Sequence, residues 1–137
     1  MTAKEYLLQY KLMTKRIENA ELDLQALREE RESIGIQLDG MPRGSSLSDK
    51  TARLAAALAD AEAEVMAMRS EAWSIRMDII RTIDRMNNPE EVRLLHLRYV
   101  DGYTWERIAV EMNYTYQWVA GPLHGEALQS LDRIINP

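Results

Sequence analysis

Two apolar stripes, each repeating at alternating spacings of four and three, constrain this chain more than any other feature. The first runs through Tyr6, Tyr10, Met13, Ile17, Ala20, Leu24, Leu27, Arg31, Ile34 and Leu38. That spacing keeps every position on one side of an α-helix and is the signature of a heptad. The intervening positions are mostly Glu, Lys, Arg and Gln, which are good helix formers. A helix over Ala3–Leu38 follows, about 54 Å long at 1.5 Å per residue. Arg31 interrupts the stripe and can lay its stem along it while the head reaches water. The second stripe comprises Leu54, Leu58, Ala61, Val65, Met68, Ala72, Ile75, Ile79 and Met86, with Thr82 its one non-apolar position. It predicts a second long helix ending near Met86 and capped by Ser48, with Asp49 placed against the N-terminal dipole. Residues 39–48 (DGMPRGSSLS) combine Gly, Pro and Ser and read as the loop between the two. Two long heptad helices joined by a short loop favour an antiparallel hairpin, a coiled coil closed on itself.

A hairpin alone leaves apolar residues uncovered. Near its open end Leu7 and Leu8 on the first helix, and Met66, Trp73, Met77 and Ile80 on the second, lie off the stripes. Burying one large apolar side chain is worth about 1.5–3 kcal/mol, so a cluster of this size calls for a cover. Either the remainder of the chain docks there or a second copy does; the reading adopted is that both do, which makes a homodimer or a higher homo-oligomer the expected state.

The remainder, residues 88–137, reads as three short helices joined by two tight turns. Pro89 stands where a first-turn proline is tolerated, and Val92, Leu95 and Tyr99 recur at helical spacing. Asp101-Gly102 ends that helix, since glycine accepts the left-handed conformation of a C-terminal cap. Thr104 caps a second helix whose inward face is Trp105, Ile108, Ala109 and Met112. Asn113-Tyr114 makes the next turn, and Thr115 caps a third helix opening with Tyr116-Gln117-Trp118-Val119. Helix, capped turn, helix is the pattern of a helix-turn-helix.

Arg98-Tyr99, Asp101-Gly102, Trp105-Glu106-Arg107-Ile108-Ala109, Met112-Asn113-Tyr114, Leu123-His124 and Ala127-Leu128 together resemble the helix-turn-helix of sigma factor region 4. More specifically they resemble its version in bacteriophage and prophage late-transcription regulators of the RinA and ArpU type. Residues 1–7 and the Met41-Pro42-Arg43-Gly44 stretch are similar to the same relatives. The resemblance implies an all-α fold, a helical hairpin over 1–87 for oligomerisation and a sigma-region-4-like domain over 88–137. It implies a DNA-binding transcription regulator of the bacterial cytoplasm, acting on double-stranded DNA and RNA polymerase.

Base edges are read from the first turns of a recognition helix, which assigns Tyr116, Gln117, Ala120 and Gly121 to DNA contact. Thr115, Arg107 and Arg98 are the candidate phosphate contacts. One feature departs from the family pattern: three residues, Ala120-Gly121-Pro122, separate the valine from the Leu-His pair, where relatives have two. Pro122 lacks an amide and crowds the carbonyl of Trp118, at about 3 kcal/mol in a helix interior. A kink or break is therefore expected, with Pro122 starting a final helix that reaches Ile134.

Charge opposes the DNA reading. The net charge is −5, and from residue 88 onward four arginines face seven carboxylates. Phosphate neutralisation supplies much of the affinity of DNA binders, so the arginines must gather on one side or act in two copies. Otherwise the helix-turn-helix surface grips another protein, as an interaction module or a DNA-packaging adaptor. The absence of cysteine excludes disulfides and thiolate metal sites. No apolar run approaches membrane-spanning length. His96 and His124 lack metal-ligand spacing and read as hydrogen-bonding residues, and the carboxylates of the long helices alternate with Lys and Arg as a solvated face. No cofactor and no catalytic residue is expected.

Overall fold

The computed structural model describes residues 1–38 and 45–137, and the side chains of 1–36 and 48–137. The described chain is all-α, with no strand in it. Helix α1 is Ala3–Leu38, α2 is Ser45–Ile83, α3 is Pro89–Leu95, α4 is Trp105–Met112, α5 is Tyr116–Trp118 and α6 is His124–Ile135. A π-helical turn, His96–Val100, extends α3, and another, Val119–Leu123, joins α5 to α6. The expected loop over 39–48 lies mostly outside the described residues. Ser48 does not cap the second helix: α2 begins at Ser45, so Ser48 falls inside it. Nothing in Ser46 or Leu47 resists helical backbone, which lets the helix start a turn earlier than the cap reading required. Among the described residues, no helix is long and apolar enough to cross a membrane.

By contact the chain forms two compact units, Met1–Met13 with Ala72–Pro137, and Thr14–Glu71. These boundaries differ from the expected segments 1–87 and 88–137, because the ends of both long helices belong with the C-terminal helices.

In the unit formed by Thr14–Glu71, Leu24 and Ile34 of α1 pack with Leu54, Leu58 and Val65 of α2, flanked by Ala20, Leu27 and Ala61. All are stripe positions. Arg69 pairs with Glu21, and Arg28 lies 3.6 Å from Glu62, so numbering falls on one helix as it rises on the other: the two run antiparallel. Both pairs are half in water and contribute little, about 0–1 kcal/mol each. The apolar seam holds this unit together. Arg31 is exposed, as its place in the stripe required.

In the other unit the core draws on α1, α2, α3, α4, α6 and both π-helical turns. Leu7, Ile79, Ile83, Leu94, Leu95, Ile108, Val119 and Leu131 are essentially removed from solvent. Leu7 and Ile80, left uncovered by a bare hairpin, belong to this cluster or pack on it. The C-terminal helices therefore provide cover there, while Trp73 stays largely exposed. The Tyr6 hydroxyl lies 2.6 Å from Asp78 Oδ2 and 2.8 Å from Thr82 Oγ1, which ties α1 to α2 within this unit. Thr82 also donates to the Asp78 carbonyl at 2.8 Å. The one polar seam position is thus a hydrogen-bonding site for a tyrosine of the facing helix. Burial and the Asp78 carboxylate push the Tyr6 phenol up to about 12, so its proton stays in place.

Candidate functional site

The first helix of the trihelical segment starts as its sequence dictates. Asn88 Oδ1 accepts from the amides of Glu90 and Glu91 at 3.0 and 3.4 Å, and Pro89 takes the first helical position, where no amide is needed. Its buried face is Leu94, Leu95, Leu97, Tyr99 and Val100, with Val92 only half-buried. The π-helical turn explains the shift from the expected Val92, Leu95, Tyr99 periodicity. A wider turn carries one residue more and brings both Tyr99 and Val100 inward. Gly102, at φ +73°, then reverses the chain, and Tyr103 N–H donates to the Leu97 carbonyl at 2.9 Å.

Thr104 Oγ1 accepts from the Arg107 amide at 3.3 Å and so caps α4. Ile108 and Ala109 are buried, with Trp105 and Met112 packed against the same core. Asn113 adopts the left-handed conformation at φ 59°, ψ 43°, which its short polar side chain tolerates. Thr115 Oγ1 accepts from the Trp118 amide at 3.2 Å and caps α5. The helix, capped turn and second helix are as the sequence implied.

Of the kink or break expected at Pro122, the break is absent: the irregularity there is a π-helical turn with Pro122 inside it, and the final helix opens at His124 rather than at Pro122. Helical backbone runs from Tyr116 to Ile135, and Trp118, Val119, Leu123 and His124 all have right-handed helical angles. A π-helical turn is an α-helix with one residue inserted, and it is where a proline's missing amide and bulky ring fit with least cost. The three residues Ala120-Gly121-Pro122 are accommodated in this way. Val119, Leu123, Ala127 and Leu131 consequently all face the core.

Of the residues assigned to DNA contact, Tyr116, Gln117 and Gly121 are exposed on α5 and the π-helical turn, and Ala120 is half-buried. Tyr116 retains 45% of its surface in water. Thr115 is exposed, with its hydroxyl engaged as the cap. Arg107 lies over the Tyr103 ring at 3.6 Å and donates to the Tyr103 hydroxyl at 3.0 Å. Arg98 lies over the Trp105 ring at 4.6 Å and donates to the Tyr103 carbonyl at 3.0 Å. The two arginines therefore meet at Tyr103 and Trp105 rather than on the 115–121 stretch. Arg93, a third cation, sits 4.0 Å from Glu111.

Behind this surface lies a polar cluster whose composition the sequence did not reveal. The Tyr99 hydroxyl and His124 Nε2 share a hydrogen bond at 2.7 Å, and the Trp105 ring meets the imidazole edge-on at 4.7 Å. Burial, with Lys4 and Arg98 as further positive neighbours, lowers the His124 imidazole to about 4. It is neutral at pH 7. Burial likewise raises the Tyr99 phenol. Glu91, the one buried charged side chain of the described core, accepts from Ser130 Oγ at 3.2 Å. These groups lock α3, α4 and α6 together. His96 Nδ1 lies 3.3 Å from Asp101 Oδ2 at the end of the first π-helical turn. On the outer edge Tyr114 donates to the Glu90 carboxylate, which raises the phenol, and its ring meets Trp118. No family model, curated protein or solved structure matches the chain.

Proposed function

We propose that the chain is a DNA-binding transcription regulator of bacteriophage type, with α4 and α5 as its helix-turn-helix. The observation that carries this reading is the joint at residues 113–118. A left-handed Asn113 and the Thr115 cap turn the chain between two packed helices and leave Tyr116 and Gln117 open to solvent. The first turn of the second helix is where such units meet base edges, and glutamine can bond bidentately to adenine. The likeness of the 98–128 stretch to sigma factor region 4 supports the same reading. In it the long helices set a homodimer or higher oligomer, which doubles the few cations available, and RNA polymerase is a second partner in the bacterial cytoplasm. Retention on random-sequence duplex DNA tests it. Binding that falls steeply between low and moderate salt, and weakens in Gln117→Ala, is the expected outcome. No retention at low salt overturns it.

A second reading, that the same segment grips a protein, is favoured by one observation. Arg93 lies near the Glu111 carboxylate, and Arg98 and Arg107 are held at Tyr103 and Trp105 rather than on the 115–121 stretch.

A further inference from the structure

The aromatic rings of this chain are repeatedly used to seat guanidinium groups. Arg98 lies over Trp105, Arg107 over Tyr103 and Arg76 over Trp73, at 4.6, 3.6 and 5.6 Å from the ring centres. Of the three tryptophans, only Trp118 has no cation over it among the described residues. Trp118 and Tyr114 are each 39% exposed, and their rings meet at 60° with centres 6.5 Å apart. Two rings at that angle form an open corner rather than a stack. One wall is anchored by a carboxylate, because the Tyr114 hydroxyl donates to Glu90 Oε1. Two partly exposed rings in edge-to-face contact, one of them hydrogen-bonded to a carboxylate, offer π surface and negative charge within one patch, the combination that holds an organic cation.

We infer that Tyr114, Trp118 and Glu90 form a receptor for a lysine or arginine side chain presented by a protein partner. The proposal rests on the second reading above and specifies its site and chemistry. Charge selects the occupant: Glu90 at the wall, and a 88–137 segment in which carboxylates outnumber arginines seven to four, attract a basic peptide and repel a phosphate backbone. Exposed aromatic residues of this kind carry a large share of protein–protein affinity.

The test is titration of the isotope-labelled full chain with three probes: a peptide of Arg, Leu and Ala, the same peptide with every Arg replaced by Glu, and a random-sequence DNA duplex. Backbone and indole resonances report the site. The expected result is that the Arg peptide alone shifts Glu90, Tyr114 and the Trp118 indole. Trp118→Ala and, as the conservative variant, Glu90→Gln should each weaken its binding about tenfold, with the dispersion of the spectrum unchanged. Three outcomes overturn the proposal. If the Arg peptide instead shifts Tyr116 and Gln117, a protein-binding surface survives but this corner is not its site. Shifts scattered over the carboxylates of the long helices, equal for wild type and both variants, mean non-specific attraction. Shifts of the corner by DNA alone mean that both this proposal and the protein reading fail.

Discussion

His124 occupies a place where a proton is held poorly. Its imidazole titrates near 4 in the fold against about 6.5 in an unfolded chain. Above pH 6.5 both states are neutral and the group does not affect stability. Between 6.5 and about 4 the unfolded chain takes up the proton first, so stability falls as the pH falls, and below 4 the loss is complete. With the imidazole only half-buried, the loss is on the order of 1–2 kcal/mol once solvent screening is discounted. Thermal midpoints measured from pH 7 to 4 should therefore fall less in His124→Asn than in the wild type, after each is referred to its own value at pH 7. An equal fall in both would show that the imidazole is not the group responsible. A histidine's hydrogen-bonding role was legible in the sequence from the lack of ligand spacing. Its partner Tyr99 was not, because two residues separated by 25 positions meet only once the fold is made.

At the scale of helices and turns, local chemistry was the most legible part. Thr104, Asn113 and Thr115 do what their side chains do within three or four residues of themselves. The Thr2-Ala3-Lys4-Glu5 run carried a further signal that the stripe analysis passed over: Glu5 N–H donates to Thr2 Oγ1 at 3.2 Å, with Thr2 N–H 3.4 Å from Glu5 Oε2, a reciprocal capping box. What spacing alone could not show was the pair of π-helical turns. They brought Val100 into the core beside Tyr99 at the first, and carried the chain through Pro122 at the second. The two glycines beside these turns should respond oppositely to alanine. Gly102 needs its positive φ, so Gly102→Ala should destabilise by about 1–2 kcal/mol. A Cβ on Gly121 meets nothing within 4 Å, so Gly121→Ala should stabilise by about 0.5–1 kcal/mol. Thr115→Ala should cost about 1 kcal/mol through loss of the cap. Denaturant midpoints at unchanged slope measure all three.

For the whole chain, the all-α class and the two long helices were plain in the heptads, because a stripe of that length has few other solutions. Which chain covers Leu7 was not legible, since apolar surface looks the same whether its partner is near in sequence, distant, or on another molecule. The structure seats Leu7 among Ile79, Ile83, Leu94 and Leu131. A fragment of residues 88–137 lacks Ala3, Leu7, Ile79, Ile83 and Met86 from that core and should give a poorly dispersed spectrum and reduced helicity. A well-folded fragment would show that these five contribute little. In the full chain Leu7→Ala should lower stability by about 2–5 kcal/mol, read by denaturant unfolding.

The hydrogen bond from Asn136 Nδ2 to the Met1 carbonyl, 2.9 Å long, carries a consequence for how the molecule comes into being. Residues 1–13 share a core with α6, so the unit that contains both cannot complete that core until α6 has emerged from the ribosome. Until then Leu7 lacks Leu131. Substitutions in α6 should consequently reduce yield in the cell more than they reduce the stability of the purified protein.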